Sequence, residues 1–277
     1  MSLRDFRNRL FQRLLWHSFA RRLFRTWVGF EQRVDCIALN YSLHTPTNGE
    51  LWILSLLPDE PLVLDVGYNA GDFSGFARSS RINSRIIAFD PSRSAFQNFR
   101  RTCATDPGIV FENIALSNVT GEAEFHDYGN MSSSLAERMD QGSQAASVYR
   151  VPVWRLDDYA RNHGISHIAL LKIDAEGYDL HVLEGASELL DRQAIDIFMF
   201  EYANGWIASR RYLQDAVAYL KYKPYRLFRL FNGFLQPFVY TVAHERFDVG
   251  CMFVGVSQQY LSADKIPIRD IVGEGNP

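Results

Sequence analysis

The sequence predicts an α/β protein built on a doubly wound, mainly parallel sheet. From residue 62 onward, short apolar runs typical of buried strands alternate with amphipathic runs typical of helices. A glycine-rich turn, residues 67–71, follows the first apolar run, and two carboxylates, Asp174 and Glu176, follow the run at 168–173. Open α/β sheets bind ligands at the carboxyl ends of their strands, so the same observations predict a ligand site there.

Seven runs are predicted to form the strands of this sheet: 62–66, 85–89, 109–115, 168–173, 195–201, 225–231 and 249–256. Helices are predicted at 72–81, 92–104, 156–163, 178–191 and 207–223. This alternation requires right-handed crossovers between parallel strands. No convincing helix separates the last two strands, so the final strand is expected to run antiparallel to its neighbours.

The chain is expected to divide into residues 1–58, a basic amphipathic helix with a connecting segment, and residues 59–277, the main domain. Within the main domain, alternating segments at 121–128 and 148–154 flank a polar stretch, which predicts an inserted hairpin and loop at about 120–154. Residues 1–30 contain seven arginines and one aspartate, with apolar residues spaced three and four apart. Such a helix packs on the main domain or on a partner subunit, or lies on an anionic membrane surface.

Composition excludes several classes of protein. With 277 residues, 47% of them hydrophobic, the chain can bury one substantial core. Its three cysteines are too few for a disulfide framework, so a reducing, cytoplasmic location is expected, with peripheral membrane contact through residues 1–30 as the alternative. No apolar run approaches the roughly 18–20 residues that span a bilayer. Beyond residue 30 the chain is acidic overall, so no nucleic-acid partner is predicted. The pattern does not specify an oligomeric state.

The glycine-rich turn carries the first candidate ligand-binding residues, Asp65, Gly67, Asn69 and Gly71. Glycines permit a tight turn and a close approach of backbone to ligand. A dinucleotide-binding turn places a pyrophosphate on the following helix. Here Asp65 and Asp72 would repel a pyrophosphate, whereas they suit a ligand that carries an ammonium and a sulfonium. S-adenosylmethionine is such a ligand.

Asp90 ends the second predicted strand, where a carboxylate can accept hydrogen bonds from both hydroxyls of a ribose. NAD and S-adenosylmethionine both contain that ribose, so Asp90 alone does not choose between them. The structural alternative is an acid at the start of the helix that follows Ser92. Asn113, near the end of the third strand, is a candidate contact to a base or part of a strand-end turn.

Residues 62–202 resemble the FkbM-type methyltransferase family. DVGYNAG is similar to its DVGANxG, AFDPS to its AFEPx, ENIALSNVTGEAEF to its N-x-AL-S-x-x-x-G segment, and LKIDAEGYDLHVLEGA to its LKIDVEGxExxVLxGA. The resemblance implies a class I (Rossmann-like) methyltransferase fold and transfer of a methyl group from S-adenosylmethionine to a hydroxyl of a sugar, glycan or secondary metabolite. Tyr68 stands where the family usually has a small residue, and is expected to narrow the pocket.

Methyl transfer to a hydroxyl requires a base or a metal beside the acceptor. Asp174 is the leading candidate, because strand-end carboxylates face the cleft. Glu176 is a second candidate, or closes the loop by accepting backbone N–H bonds. His181 is a candidate base or an ordinary helix-surface histidine. A cation such as Mg²⁺ is an alternative to a base, and its ligands would be Asp174, Glu176 and Glu201. We rank this alternative below direct base catalysis. Metal dependence therefore stays open, and no metal ligand is predicted.

Two other functions fit the sequence less well. One is an NAD(P)-dependent oxidoreductase on a related sheet, which nicotinamide binding would reveal. The other is a noncatalytic cofactor-binding module recruited by the basic N-terminal helix, which would bind cofactor without transferring methyl groups. The expected partner is a small-molecule or glycan acceptor.

Overall fold

The computed structural model describes residues 48–80, 83–129, 132–139, 147–248, 250–263 and 266–270. All of them belong to one unit, which spans residues 42–277. The predicted N-terminal helix, its membrane contact and most of the connecting segment therefore lie outside the described residues. None of the helices that the structure describes is long and apolar enough to cross a membrane.

Eleven strands are formed by the described residues: β1 (Leu62–Val66), β2 (Arg85–Phe89), β3 (Ile109–Glu112), β4 (Ala115–Leu116), β5 (Gly121–Asp127), β6 (Ser147–Trp154), β7 (Ile168–Ile173), β8 (Ile195–Tyr202), β9 (Tyr225–Phe231), β10 (Phe234–Pro237) and β11 (Cys251–Ser257). The helices are α1 (Glu50–Leu56), α2 (Asp72–Ser80), α3 (Arg93–Thr102), α4 (Leu156–Asn162), α5 (Asp179–Gly185), α6 (Ser187–Asp191), α7 (Gly205–Ala208), α8 (Leu213–Leu220) and α9 (Gln258–Leu261), with a 3-10 turn at Val242–His244.

The main sheet has eight strands in the order β10-β9-β11-β8-β7-β1-β2-β3. Strands β3, β2, β1, β7 and β8 are parallel, and β11 pairs antiparallel with both β8 and β9. The predicted doubly wound sheet with an antiparallel final strand is thus confirmed. The sequence pattern missed β10, which forms a hairpin with β9 at the edge of the sheet.

The register aligns the carboxyl ends of the central strands. Val66 at the end of β1 lies opposite Phe89 of β2 and Ile173 of β7. Ile173 in turn lies opposite Phe200 of β8. The residues that follow β1, β2 and β7, and those that end β8, therefore meet along one edge of the sheet. Both faces are covered, and four of the five β1 residues are buried.

A smaller sheet of β4, β6 and β5 stands beside the main sheet. Strands β5 and β6 pair antiparallel from Gly121 opposite Val153 to Asp127 opposite Ser147, at the place where the sequence predicts a hairpin. The predicted third strand stops at Glu112, because Ala115 and Leu116 pair with β6 of the smaller sheet instead.

Two predicted helices are each divided in two. The helix predicted at 178–191 breaks after Gly185, where an added Cβ would lie 2.0 Å from the carbonyl oxygen of Ser117. Asp157 of α4 then caps α6, since its carboxylate accepts the backbone N–H groups of Glu188 at 3.0 Å and Leu189 at 3.1 Å. The helix predicted at 207–223 forms α7 and α8.

Helix α1, in the predicted connecting segment, packs against the main sheet. Ile53 and Leu54 belong to the same buried cluster as Val63 and Phe228 of the strands. The hydroxyl of Tyr260 donates to the carbonyl oxygen of Leu56 at 2.6 Å. At the amino end of α1, a Cβ added to the preceding residue Gly49 would lie 2.7 Å from the carbonyl oxygen of Phe231, so this end of the helix lies against the last residue of β9.

Candidate functional site

Two adjoining cavities lie at the carboxyl edge of the main sheet. The first, about 730 Å³ including its open mouth, is lined by Val66, Gly67, Asn69, Phe89, Asp90, Pro91, Ser92, Ser94, Ile114, Ala115, Leu116, Phe125, Ser133, Ser134, Leu135, Asp174, Ala175, Glu176 and Tyr178. The second, about 1300 Å³ on the same basis, is lined by Glu50, Gly67, Tyr68, Asn69, Ala70, Asp72, Phe73, Ser132, Arg138, Lys172, Asp174, Glu176, Glu201, Ala203, Asn204, Phe247, Asp248, Gly250 and Met252. Gly67, Asn69, Asp174 and Glu176 line both, so they mark the junction of the two cavities.

The glycine-rich turn brings backbone to this junction. Gly67 adopts a φ of +86°, and a Cβ added there would lie 1.9 Å from the carbonyl oxygen of Asp174. Only glycine fits between these two strand ends. Asn69, with a φ of +50°, turns its backbone N–H toward Asp90 Oδ2, to which it donates at 2.9 Å.

Asp90 presents a fixed carboxylate to the first cavity. Its Oδ1 accepts the backbone N–H of Ser92 at 2.8 Å, and its Oδ2 accepts that of Asn69. Burial raises the pKa of Asp90, while these two hydrogen bonds oppose the shift. The helix cap is Ser92, whose hydroxyl accepts the Ala95 N–H at 3.1 Å. Because each carboxylate oxygen has more than one acceptor site, Asp90 can still receive hydroxyl donors from the cavity.

Three of the predicted cofactor-binding residues lie behind the cavity walls. Asp65 is 1% exposed and accepts the Ser74 hydroxyl of α2 at 2.7 Å. Gly71, with a φ of +88°, lies against the ring of Tyr68, which an added Cβ would strike. Asn113 donates its side-chain N–H to the carbonyl oxygen of Asp90 at 2.8 Å. These three residues shape the site from behind, whereas Gly67, Asn69 and Asp90 line it.

Tyr68 lines the second cavity and is absent from the lining of the first. Tyr68 is 3% exposed, and its ring packs edge-on against Phe111 at 5.3 Å and Phe99 at 6.1 Å. The Tyr68 ring fills the space between the glycine-rich turn and α3, at a position where the family usually has a small side chain.

Lys172 lies at the centre of a group of carboxylates beside the second cavity. Its Nζ lies 3.3 Å from Asp174 Oδ2 and 3.6 Å from Asp65 Oδ1, and its side chain is 6% exposed. Burial disfavours the ammonium, but Asp174, Asp65 and Glu50 together outweigh this cost and raise the pKa of Lys172. Lys172 is part of the lining of the second cavity.

Asp174 faces both cavities, as predicted from its place after β7. Its side chain is 36% exposed, and Lys172 holds one of its oxygens. Glu201 of β8 lies beside it in the second cavity. Burial raises the pKa of Glu201 well above its ordinary value, and the charge of Asp174 and a side-chain hydrogen bond between the two residues raise it further.

Glu176 also faces both cavities, where it pairs with Arg138 of the inserted segment. Burial and the nearby Asp174 carboxylate raise the pKa of Glu176, and Arg138 opposes the shift. The loop is closed by Asp179 instead, whose carboxylate accepts the N–H groups of Gly177 at 3.1 Å and Ala175 at 3.4 Å. The loop-closing role considered for Glu176 therefore belongs to a residue three positions later.

Residues 132–139 of the insertion cover the junction of the cavities. Arg138, which is 2% exposed, donates to Asn204 Oδ1 at 2.9 Å as well as to Glu176. The Ser134 hydroxyl donates to the carbonyl oxygen of Glu176 at 2.9 Å. The polar composition of this segment indicated a loop but no particular contact, so Arg138 was not predicted.

His181 is absent from the lining of both cavities. Its ring stacks on Tyr178 at 4.5 Å, and burial lowers its pKa, which Glu184 opposes and Arg211 reinforces. The prediction of His181 as a base is not supported by this placement, because a base has to reach the acceptor.

Among the described residues, no three His, Cys, Asp or Glu side chains are arranged to hold a metal ion.

The sheet order, the antiparallel final strand and a cleft at the carboxyl edge define the class I methyltransferase fold. The chain belongs to the FkbM methyltransferase family, since the family described as "Methyltransferase FkbM domain" matches residues 65–227.

Two curated relatives are each 26% identical to this chain. Methyltransferase sdnD of Sordaria araneosa aligns over 162 residues, 48% of this chain and 62% of the relative. The 2-O-methyltransferase NoeI of Sinorhizobium fredii aligns over 155 residues, 50% of this chain and 63% of the relative. The alignments thus span less than two thirds of these relatives. A solved structure, Methyltransferase FkbM from Methylobacillus flagellatus KT, has a TM-score of 0.44 and 17% identity, over 71% of this chain and 44% of that one.

Proposed function

We propose that the protein transfers a methyl group from S-adenosylmethionine to the oxygen of a hydroxyl on a small-molecule or glycan acceptor. The observation that carries the proposal is the junction of the two cavities at Gly67, Asn69, Asp174 and Glu176. One cavity has the features of a nucleoside site, and the other contains carboxylates that can accept a proton. A reaction between two bound molecules takes place where their sites meet.

The first cavity fits the adenosine part of the cofactor. Asp90 would accept the ribose hydroxyls, since its carboxylate is already oriented by two backbone N–H groups. Ile114, Ala115 and Leu116 with Phe125 form an apolar wall for the base. The space that a Cβ at Gly67 would fill allows the close approach of the cofactor to the turn.

The charge of the junction fits a cationic cofactor. Asp65 and Asp174 share the single ammonium of Lys172, and Glu201 is near them. A phosphate-bearing dinucleotide would add negative charge here, whereas a sulfonium adds positive charge. This favours S-adenosylmethionine over NAD(P).

S-adenosylmethionine supplies an electrophilic methyl group when it is bound. Asp174 would accept the hydrogen bond of the acceptor hydroxyl and take its proton as the new bond forms, because its side chain at the junction is 36% exposed, against 25% for Glu176, which Arg138 engages. Lys172 donates to Oδ2 of this carboxylate, and a side-chain hydrogen bond joins Glu201 to it. These contacts orient the base, while residues 132–139 screen the junction from water.

The experiment is methyl transfer with isotopically labelled S-adenosylmethionine and extracts of the host, with the product identified by mass spectrometry. We expect a labelled O-methyl product, and at least a hundred-fold slower transfer by Asp174→Asn, as about 10²–10⁴-fold is typical for loss of a general base. An addition of EDTA tests metal dependence separately. Full activity of Asp174→Asn would remove Asp174 as the base, and the absence of any labelled product would contradict the proposed activity.

A further inference from the structure

Glu50 brings a carboxylate to the second cavity from outside the segment that matches the family. It is the first residue of α1 and precedes residues 65–227 in the chain. The residue is 5% exposed, and it lines the cavity together with Gly67, Asp72 and Lys172. A buried carboxylate is costly unless it meets a partner, so its position requires an explanation.

The preceding turn fixes the direction of this carboxylate. The Asn48 side-chain amide donates to Glu50 Oε1 at 2.5 Å, and Asn48 Oδ1 accepts the backbone N–H of Glu50 at 3.0 Å. Gly49 between them has a φ of +105°, and a Cβ there would lie 2.7 Å from the carbonyl oxygen of Phe231. Glu50 is therefore built into the wall of the cavity and is not a surface acid that happens to be near it.

The groups around Glu50 carry more negative than positive charge. Lys172 acts on Glu50, and it also serves Asp65 at 3.6 Å and Asp174 at 3.3 Å. Arg138, the other cation in the lining of this cavity, is engaged by Glu176. Burial raises the pKa of Glu50 and of Asp65, and Lys172 only partly offsets this. A ligand with a positive group at this place would relieve the excess.

This inference rests on the proposed function, and it adds a residue and a chemical group to it. With the nucleoside in the first cavity, the amino-acid part of the cofactor has to pass Gly67 and Asn69 into the second. We propose that Glu50 binds the ammonium of that amino-acid part, and that α1 is thereby part of the cofactor site. Glu50 is then a binding residue contributed by the chain before the matched segment.

The test compares two ligands that differ in the amino-acid part. S-adenosylhomocysteine carries the ammonium, and 5′-methylthioadenosine keeps the nucleoside and sulfur without it. Calorimetry on the full chain is expected to show that Glu50→Gln weakens binding of S-adenosylhomocysteine about ten- to hundred-fold, the range for a lost charge-assisted hydrogen bond. Binding of 5′-methylthioadenosine should change less than about three-fold.

Two further variants complete the design. Glu122→Gln removes a 65%-exposed carboxylate of the smaller sheet, outside both cavities, and should change neither affinity. Glu50→Asp keeps the charge and should lie between wild type and Glu50→Gln; if Glu50→Gln does not fold, the ratio of the two affinities in Glu50→Asp decides the question. An equal effect of Glu50→Gln on both ligands, or no effect on either, overturns the inference and leaves the proposed function intact. A wild-type protein that binds neither ligand overturns both.

Discussion

Replacing Lys172 with methionine tests the electrostatic account of the site. The substitution keeps an unbranched apolar stem and removes the ammonium that serves Asp65, Asp174 and Glu50. Asp65 is 1% exposed and Glu50 is 5% exposed, so neither can recover solvation without a local rearrangement. Removal of one partner from a buried ion pair costs about 3–5 kcal/mol. For a domain of this size, about 2–4 °C per kcal/mol gives a fall in Tm of about 6–20 °C.

The assay is urea unfolding of wild type and Lys172→Met at pH 5 and at pH 8. Burial already raises the pKa of Asp65 and Glu50, and loss of the ammonium raises both further. A carboxyl group with a raised folded-state pKa loses its stabilising contribution as pH rises through that pKa and regains it as pH falls. The free energy lost in Lys172→Met should therefore be smaller at pH 5 than at pH 8.

The matched control is Lys223→Met. Lys223 pairs with Asp191 at 2.7 Å, but Asp191 is 60% exposed and regains water when the lysine is removed. Lys223 is 9% exposed and also donates to Ser187 Oγ at 2.7 Å, so we expect a loss of about 1–2 kcal/mol, smaller than in Lys172→Met because no carboxylate is left buried. A loss in Lys172→Met no larger than in Lys223→Met, or equal losses at pH 5 and pH 8, would refute the electrostatic account.

Three further predictions concern the turn, the insertion and the histidine. Gly67→Ala should abolish binding of S-adenosylhomocysteine in calorimetry, because its Cβ would lie 1.9 Å from a backbone carbonyl oxygen. The control is Gly75→Ala in α2, where an added Cβ meets nothing within 4 Å; it should stabilise the fold by about 0.5–1 kcal/mol. Arg138→Ala should speed amide hydrogen exchange across 132–139, measured by mass spectrometry, because two side-chain partners across the cleft are lost. His181→Ala should leave the rate of methyl transfer within about three-fold of wild type, since the loss of a base costs about 10²-fold or more.

Each of these predictions has its own contradicting result. Unchanged ligand affinity in Gly67→Ala would show that the turn is not part of the site. Arg150→Ala removes a 69%-exposed arginine of the smaller sheet and serves as the control for Arg138→Ala; equal exchange rates in the two variants would show that Arg138 does not hold the segment. A hundred-fold loss in His181→Ala would return His181 to the list of bases.

The fold could be predicted from the sequence because the central strands are largely buried and read as mainly apolar runs, although β1 and β7 each contain one charged residue. The run at Leu62–Val66 and the one at Ile168–Ile173 have the predicted ends in the structure. Parallel alignment of such strands then places Gly67, Asp90 and Asp174 at one edge. The strand β10 could not be predicted, since it has only four residues and depends on a hairpin partner.

The rest of the site depends on contacts between distant parts of the chain. Arg138 lies in a polar insertion without periodicity, and its partner Glu176 is 38 positions away. Glu50 follows an Asn-Gly turn, which signals the start of an element but not its place beside Lys172. The loop-closing role of Asp179 was not predicted. A carboxylate at the start of α5 can reach back to the loop N–H groups, but the sequence does not show which nearby acid does so.

The central claim is that the first cavity binds the adenosine part of S-adenosylmethionine through Asp90. Calorimetric titration of the full chain with S-adenosylhomocysteine and, separately, with NAD tests it most directly. We predict saturable binding of S-adenosylhomocysteine, weakened about ten-fold or more in Asp90→Ala, as expected for loss of a charge-assisted hydrogen bond to the ribose. We predict no binding of NAD at the same concentrations. Tighter binding of NAD, or an affinity for S-adenosylhomocysteine that Asp90→Ala does not change, would contradict the claim.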